Sequence, residues 1–317
     1  MKRHLFALTL ALAGASFAQA QEYPSRPIQI VVVAAAGGTT DALARLFGAQ
    51  LQQLSGQPVV VENVAGASGN IGMERVARAT PDGYTVALIS TIQTGITAAR
   101  PPKGYDLLRD FEPVIKLTDN VATIVTGPKT GYRSIADVLA KAKAHPGSVT
   151  YSTPGSGSGQ HIATEIFASM AGVELTHVPY KGEGAALPDL IAGRIDFAFL
   201  GSAKQFTEKG VLVPLGVTSK GKWPLSPDLP VIGDTVPGFS YYAWTGIVVP
   251  AKTPPAVIAK LNSLMNTVLA SKQTAAALDS IGLAKAGGSP NALAQQMRDN
   301  IGDYRQIIVQ RKLKFED

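Results

Sequence analysis

Two hydrophobic periods alternate along this chain. Ile28, Ile30, Val31, Val32 and Val33 form a continuous apolar run of the buried-strand kind. The next stretch switches to helical spacing, with Leu43, Leu46, Phe47, Leu51 and Leu54 on one face. The pattern predicts strands over 28–34, 59–62 and 84–89, with helices over 40–54 and 73–79 between them; Pro81-Asp82-Gly83 is a turn signal. A second series follows the apolar segment 111–125. It begins with a helix over 135–144, opened by Ser134 as N-cap and stopped by His145-Pro146-Gly147. Strands over 149–152, 175–178, 196–200 and 213–217 follow, with helices over 160–170 and 183–192. Residues 222–237 hold Pro224, Pro227, Pro230 and Pro237 and read as an irregular connection. A strand over 244–250 and helices over 256–270, 273–281 and 290–311 complete the pattern. Repeated β-α-β units imply parallel sheets with right-handed crossovers. Two such series predict two α/β domains, one from residues 21–120 and 240–317, the other from 121–239.

The first twenty residues follow neither period. Lys2, Arg3 and His4 precede an apolar run over 5–17 that ends at Ala18-Gln19-Ala20, the small-x-small pattern of a cleaved secretory signal, too short to span a membrane. The mature chain is expected to start near Gln21, in the periplasm or outside the cell. Loss of Lys2 and Arg3 takes the basic residues from 29 to 27 against 23 acidic ones. That mild balance lacks the basic stripe with interleaved aromatics of a nucleic-acid binder. The chain has no cysteine, which removes thiol nucleophiles, thiolate zinc sites and a lipobox anchor. Its four histidines show no HxH or HExxH spacing, so neither a metal nor another cofactor is expected. No later segment reaches the roughly 18 apolar residues of a membrane span. A monomer is expected.

Three loops carry the candidate chemistry. Gly37-Gly38-Thr39-Thr40-Asp41 joins the first strand to the first helix. Glycine lets backbone approach a ligand, and a helix N-terminus presents free N–H groups and the positive end of its dipole to an anion. The bland reading of the same residues is a threonine N-cap closing a tight turn. Ser152-Thr153-Pro154-Gly155-Ser156-Gly157-Ser158-Gly159-Gln160-His161 repeats this logic with more hydroxyls. It is not a Walker A loop, and its Gly155-x-Gly157 matches only part of a dinucleotide fingerprint. His161 reads as a first-turn residue packing locally. In Val178-Pro179-Tyr180-Lys181-Gly182, Tyr180 is a candidate pocket wall, and Lys181 either pairs with a ligand carboxylate or is a solvated surface lysine.

The order of these motifs resembles one family. Tyr23-Pro24-Ser25-Arg26-Pro27-Ile28 and the Gly37–Asp41 run are similar to its opening. So are Gly56-Gln57-Pro58-Val59-Val60-Val61-Glu62-Asn63, Gly69-Asn70-Ile71-Gly72, Pro81-Asp82-Gly83-Tyr84-Thr85, Val178-Pro179-Tyr180-Lys181-Gly182 and Gly216-Val217-Thr218-Ser219. The family is the Bug/TctC receptors of tripartite tricarboxylate transporters. The resemblance implies a type II periplasmic-binding-protein fold, two α/β domains with a ligand cleft between them. It implies an organic carboxylate as ligand, di- or tricarboxylic or aromatic, and transporter membrane subunits as partners. Carried over by resemblance, the binding residues are Gly38, Thr39, Thr40 and Asp41 in the first domain, and Ser156, Gly157, Ser158 and Gln160 in the second. Tyr180, Lys181, Gly201 and Ser202 complete the candidate site. The chain departs from the family pattern at Ala34-Ala35-Ala36, at Phe199-Leu200-Gly201 and at Thr97-Ala98-Ala99-Arg100-Pro101-Pro102. Two other readings stay open on sequence alone: an exported hydrolase using a loop serine, and a sensor that presents its liganded state to a signalling partner.

Overall fold

The computed structural model describes residues 23–314 apart from Lys103, Ser202 and Arg311. The signal-peptide reading and candidate Ser202 therefore lie outside the described residues. In the first domain, β1 (Ile28–Val32), α1 (Thr39–Ser55), β2 (Val59–Asn63), α2 (Asn70–Ala77), β3 (Thr85–Ser90) and α3 (Thr91–Ala99) lead to the long strand β4 (Phe111–Val121). The chain then crosses through Ala122 into β5 (Thr123–Thr126), α4 (Ile135–Ala144), β6 (Thr150–Thr153), α5 (Gly159–Ala171) and β7 (Thr176–Pro179). The second domain continues through α6 (Glu183–Ile191), β8 (Phe197–Leu200), α7 (Lys204–Thr207), β9 (Val213–Val217) and α8 (Ile232–Thr235). It returns along β10 (Tyr242–Pro250) to α9 (Pro255–Ala270), α10 (Lys272–Ser280), β11 (Ala284–Lys285) and α11 (Pro290–Gln310).

Two sheets result, ordered β11-β4-β10-β3-β1-β2 and β7-β6-β8-β5-β9. The expectation of parallel sheets holds only in part: β1–β2, β1–β3, β6–β7 and β6–β8 are parallel, but β10 runs antiparallel to β3 and β4, and β5 antiparallel to β8 and β9. The antiparallel strands belong to segments that pass between the domains. No crossover helix returns them to their neighbours, so the rule that keeps βαβ strands parallel does not bind them.

Both faces of each sheet are buried, which explains the near-continuous apolar strands. Ile28, Ile30 and Val32 pack with Leu43, Phe47 and Leu51 of α1 and Met265 of α9. The intervening Val31 and Val33 pack on the other face with Met73 of α2 and Leu293, Met297 and Ile301 of α11. The second sheet divides likewise: Ile124, Phe197 and Phe199 enter a core with Ile162 and Phe167, whereas Val125, Ala198 and Leu200 face Leu190 and Leu212. Tyr304 and Ile308, at the far end of α11, join the second-domain core. One helix thus takes part in the cores of both domains.

Candidate functional site

Four helices begin at the facing ends of the two sheets. α1 starts beyond β1 at Gly38, which caps with its backbone alone. α3 follows β3 without a loop, held by a capping box in which Ser90 Oγ accepts from Ile92 N and Ser90 N donates to Gln93 Oε1 at 2.9 Å. α5 starts after β6 with Ser158 as N-cap, its Oγ accepting from His161 N. α6 starts at Glu183 after Gly182. The four N-termini lie around a small cavity of about 20 Å3, room for one or two waters, with Thr39, Thr40, Thr91, Asn120, Gln160 and Glu183 among its walls. Gly201, Tyr241, Trp244 and Thr245 also line it. A neighbouring space shares Thr40, Ser90 and Ile92 and adds Ser68, Gln93 and Lys181.

The domains meet tightly here. Ala35 N donates to Lys181 O at 3.1 Å. A Cβ placed on Gly184 would lie 2.6 Å from Ala36 O and 2.7 Å from Gly38 N, so the approach of α6 to the loop before α1 requires glycine. At the centre, Thr39 Oγ1 donates to Glu183 Oε2 at 2.6 Å and Gln160 Nε2 donates to Glu183 Oε1 at 2.9 Å. The Glu183 residue keeps partial exposure, but its carboxyl group lies deep between the domains. Loss of hydration pushes its pKa above the ordinary carboxylate range despite those two donors.

The candidate residues separate into two groups. Thr39, Thr40, Gln160 and Gly201 line the central cavity, and Lys181 lines the adjoining space. Gly38 supports the turn: its carbonyl accepts from Ala42 N. Asp41 faces back into its own domain. Its Oδ2 accepts from Gly37 N at 3.0 Å and from Arg45 Nε at 3.2 Å. Burial alone would raise the Asp41 pKa, but Arg45, Gly37 N–H and Asn63 together hold it below the ordinary range. Gly157 N donates to His161 Nδ1 at 3.0 Å, so this N–H is used inside the loop that was expected to offer it. Ser158 is wholly buried as a cap, and Ser156, Gly157 and Ser158 do not line the cavity. α3 sits against them instead: a Cβ on Gly95 would lie 2.5 Å from Gly159 N. The expectation that Tyr180 walls the pocket is corrected. Its hydroxyl donates to Asp189 Oδ2 at 2.6 Å, and its ring packs on the second-domain core. His161 stacks on His177 with ring centroids 3.7 Å apart. Burial, with His177 and Arg100 adding to it, pulls the His161 pKa down to about 3; burial pulls that of His177 down to about 4. Both rings are therefore neutral packing elements at physiological pH.

Ser90, Thr91, Asn120, Glu183, Tyr241 and Trp244 were absent from the sequence-derived site. Ser90-x-x-Gln93 after a strand is a legible capping box and would have flagged the third N-terminus. Asn120 gives no comparable local signal, because its place in the cavity depends on where β4 crosses between domains.

A two-domain α/β receptor with a solute chamber between its lobes is the class this fold and site define. The comparisons agree. The family model described as the tripartite tricarboxylate transporter family receptor matches residues 43–313. Protein BugT of Bordetella pertussis is 32% identical over 317 residues, 97% of each chain. Among solved structures, Rpa4515 of R. palustris with adipate superposes at a TM-score of 0.88, with 33% identity, covering 92% of this chain and 99% of that one. MatC of Rhodopseudomonas palustris with bound malate gives 0.85, with 28% identity over 90% of this chain and all of that one. The chain belongs to the TctC/Bug family of periplasmic solute-binding receptors, and it is a receptor rather than an enzyme.

Proposed function

We propose that the mature chain works in the periplasm, captures a small organic carboxylate between its domains and delivers it to the membrane subunits of a tripartite tricarboxylate transporter. The observation that carries this reading is the convergence of four helix N-termini, from both domains, on one buried cavity. Each N-terminus offers partial positive charge and N–H donors to an anion. The cavity is too small for a solute to enter while Ala35 bonds Lys181 and Thr39 bonds Glu183. Entry therefore needs the domains to part, and rebinding needs them to close, a hinge motion coupled to the ligand. Water exclusion on closure strengthens each hydrogen bond to the carboxylate. Related receptors solved with adipate and malate make the acid class the first to test.

A melting-temperature screen against mono-, di- and tricarboxylates tests the proposal, because a ligand selective for the folded state raises the transition. A hit is then titrated by calorimetry and followed by small-angle scattering. Failure of every acid to shift the melting point would reject the carboxylate reading. Uptake unaffected by deletion of the neighbouring transporter genes would reject the transport role and favour a sensor.

A further inference from the structure

We propose that Glu183 sets the ligand class of this receptor: its carboxylate occupies the donor cradle between the domains, so the chamber receives an ammonium or other N–H-donating group, and the solute is an amino-bearing monocarboxylate rather than a di- or tricarboxylate. The inference rests on the receptor reading above and deepens it.

Three observations carry it. The cradle is built as a carboxylate site is built, with a hydroxyl from one domain and an amide NH2 from the other, and Glu183 takes both. A second carboxylate at this point would meet Glu183 itself, and two carboxyl groups in a site poor in water cannot both ionise, whereas an ammonium there would hold Glu183 ionised. Gln160, 6% exposed, gives its Nε2 to Glu183 and leaves its Oε1 with no hydrogen-bond partner. A buried acceptor without a donor costs free energy, and this one belongs to a residue on the cavity wall. The neutral amide acceptor and the acidic side chain beside it form a receiver for N–H groups. Finally, Lys181, an exposed residue of opposite charge, borders the adjoining space, within which its ammonium would meet a ligand carboxylate. Lys181 forms no ion pair among the described residues and lines that space with the hydroxyl-bearing Thr40, Ser68 and Ser90. The site thus has an acidic pole and a basic pole side by side, reached through shared walls, which is the charge pattern of a zwitterion.

The test compares amino monocarboxylates of three to six carbons, α and ω, with dicarboxylates of equal length, by calorimetric titration of the mature protein. The wild type is expected to bind at least one amino acid of the series about 10- to 100-fold tighter than the matching dicarboxylate, the range for a hydrogen bond to a charged group. Two variants separate charge from space. Glu183→Gln keeps the cradle filled but neutral, and should weaken the amino acid about 10-fold or more without gaining the dicarboxylate. Glu183→Ser empties the cradle and should reverse the preference. Circular dichroism and the melting transition confirm that each variant is folded; Glu183→Gln, nearly the same shape, keeps the test open if Glu183→Ser fails to fold. A wild type that prefers dicarboxylates, or an amino-acid affinity unmoved by Glu183→Gln, overturns the role of Glu183 and leaves the carboxylate receptor standing. Absence of binding by either series, with binding of other carboxylates, likewise overturns only this inference. Absence of binding by any carboxylate overturns both.

Discussion

Gly184→Ala isolates cleft closure from ligand chemistry. The added methyl would stand 2.6 Å from Ala36 O, 2.7 Å from Gly38 N and 2.9 Å from Gly37 C. All three are backbone atoms, so no side-chain rotation relieves the contact. Ordinary contact needs about 3.5 Å, which forces α6 and the loop before α1 apart by about 1 Å. The same displacement stretches the Thr39–Glu183 bond from 2.6 Å to beyond hydrogen-bond range. Overpacking of this kind costs about 1–3 kcal/mol, here charged to the closed form alone. Alanine in the first turn of α6 otherwise favours the helix by up to about 1 kcal/mol over glycine. The variant should therefore unfold no more easily than the wild type, yet bind its ligand about 5- to 150-fold more weakly and scatter as a more open particle. Calorimetric titration with the tightest acid from the screen, denaturant unfolding and small-angle scattering measure the three quantities. Unchanged affinity together with an unchanged radius would show that Gly184 does not meet the Gly37–Gly38 loop in the liganded receptor, and the closure geometry would be wrong.

Other expectations concern stability and the loops. Phe47→Ala removes a wholly buried side chain from the α1 face and should cost about 3–5 kcal/mol in urea unfolding. His161 and His177 titrate at about 3 and about 4 in the folded chain against 6.5 when unfolded. Below 6.5 the unfolded chain binds more protons, so stability should fall with falling pH down to about 4, by up to roughly 1.4 kcal/mol per pH unit for each ring, and level off below about 3; His177→Phe should flatten this slope. Asp41→Asn weakens the tie to Arg45 and Gly37 N and should lower ligand affinity about tenfold through loop disorder, without contact to the ligand. Among the described residues no group of three His, Asp or Glu could hold a metal, and exhaustive chelation should leave the titration unchanged.

The apolar periods were enough to place most strands and helices, because strands buried on both faces and helices with one buried stripe leave strong local signatures. α3 escaped. It follows β3 without a loop, and its residues Thr91 to Thr97 are buried nearly all round, so no polar face marks the change of period. Strand direction was also hidden, since a crossing strand such as β5 has the same composition whichever way it runs. Thr39 and Thr40 could be picked out from the βα loop alone, because both stand in the first turn of α1 and line the cavity. Elsewhere a neighbour takes up the donor that the loop was expected to offer. Gly157 N–H goes to His161, four residues on, Ser158 Oγ accepts from His161 N, and the loop backbone packs against α3. Glu183 is in sequence terms one acidic residue in the first turn of α6, and only the other domain, through Thr39, gives it a different meaning.

The course of α11 constrains how the receptor opens. Leu293, Met297 and Ile301 belong to the core of one domain, while Tyr304 lies in the core of the other together with Tyr241, at the crossing back to β10. Packed side chains along α11 thus tie the two lobes together, so the proposed opening should be a rotation about this helix. Separation would strip Tyr304 from its pocket, whereas rotation keeps it seated. The last turns of the chain, distant in sequence from the loops that line the cavity, should thereby limit how far the lobes can part.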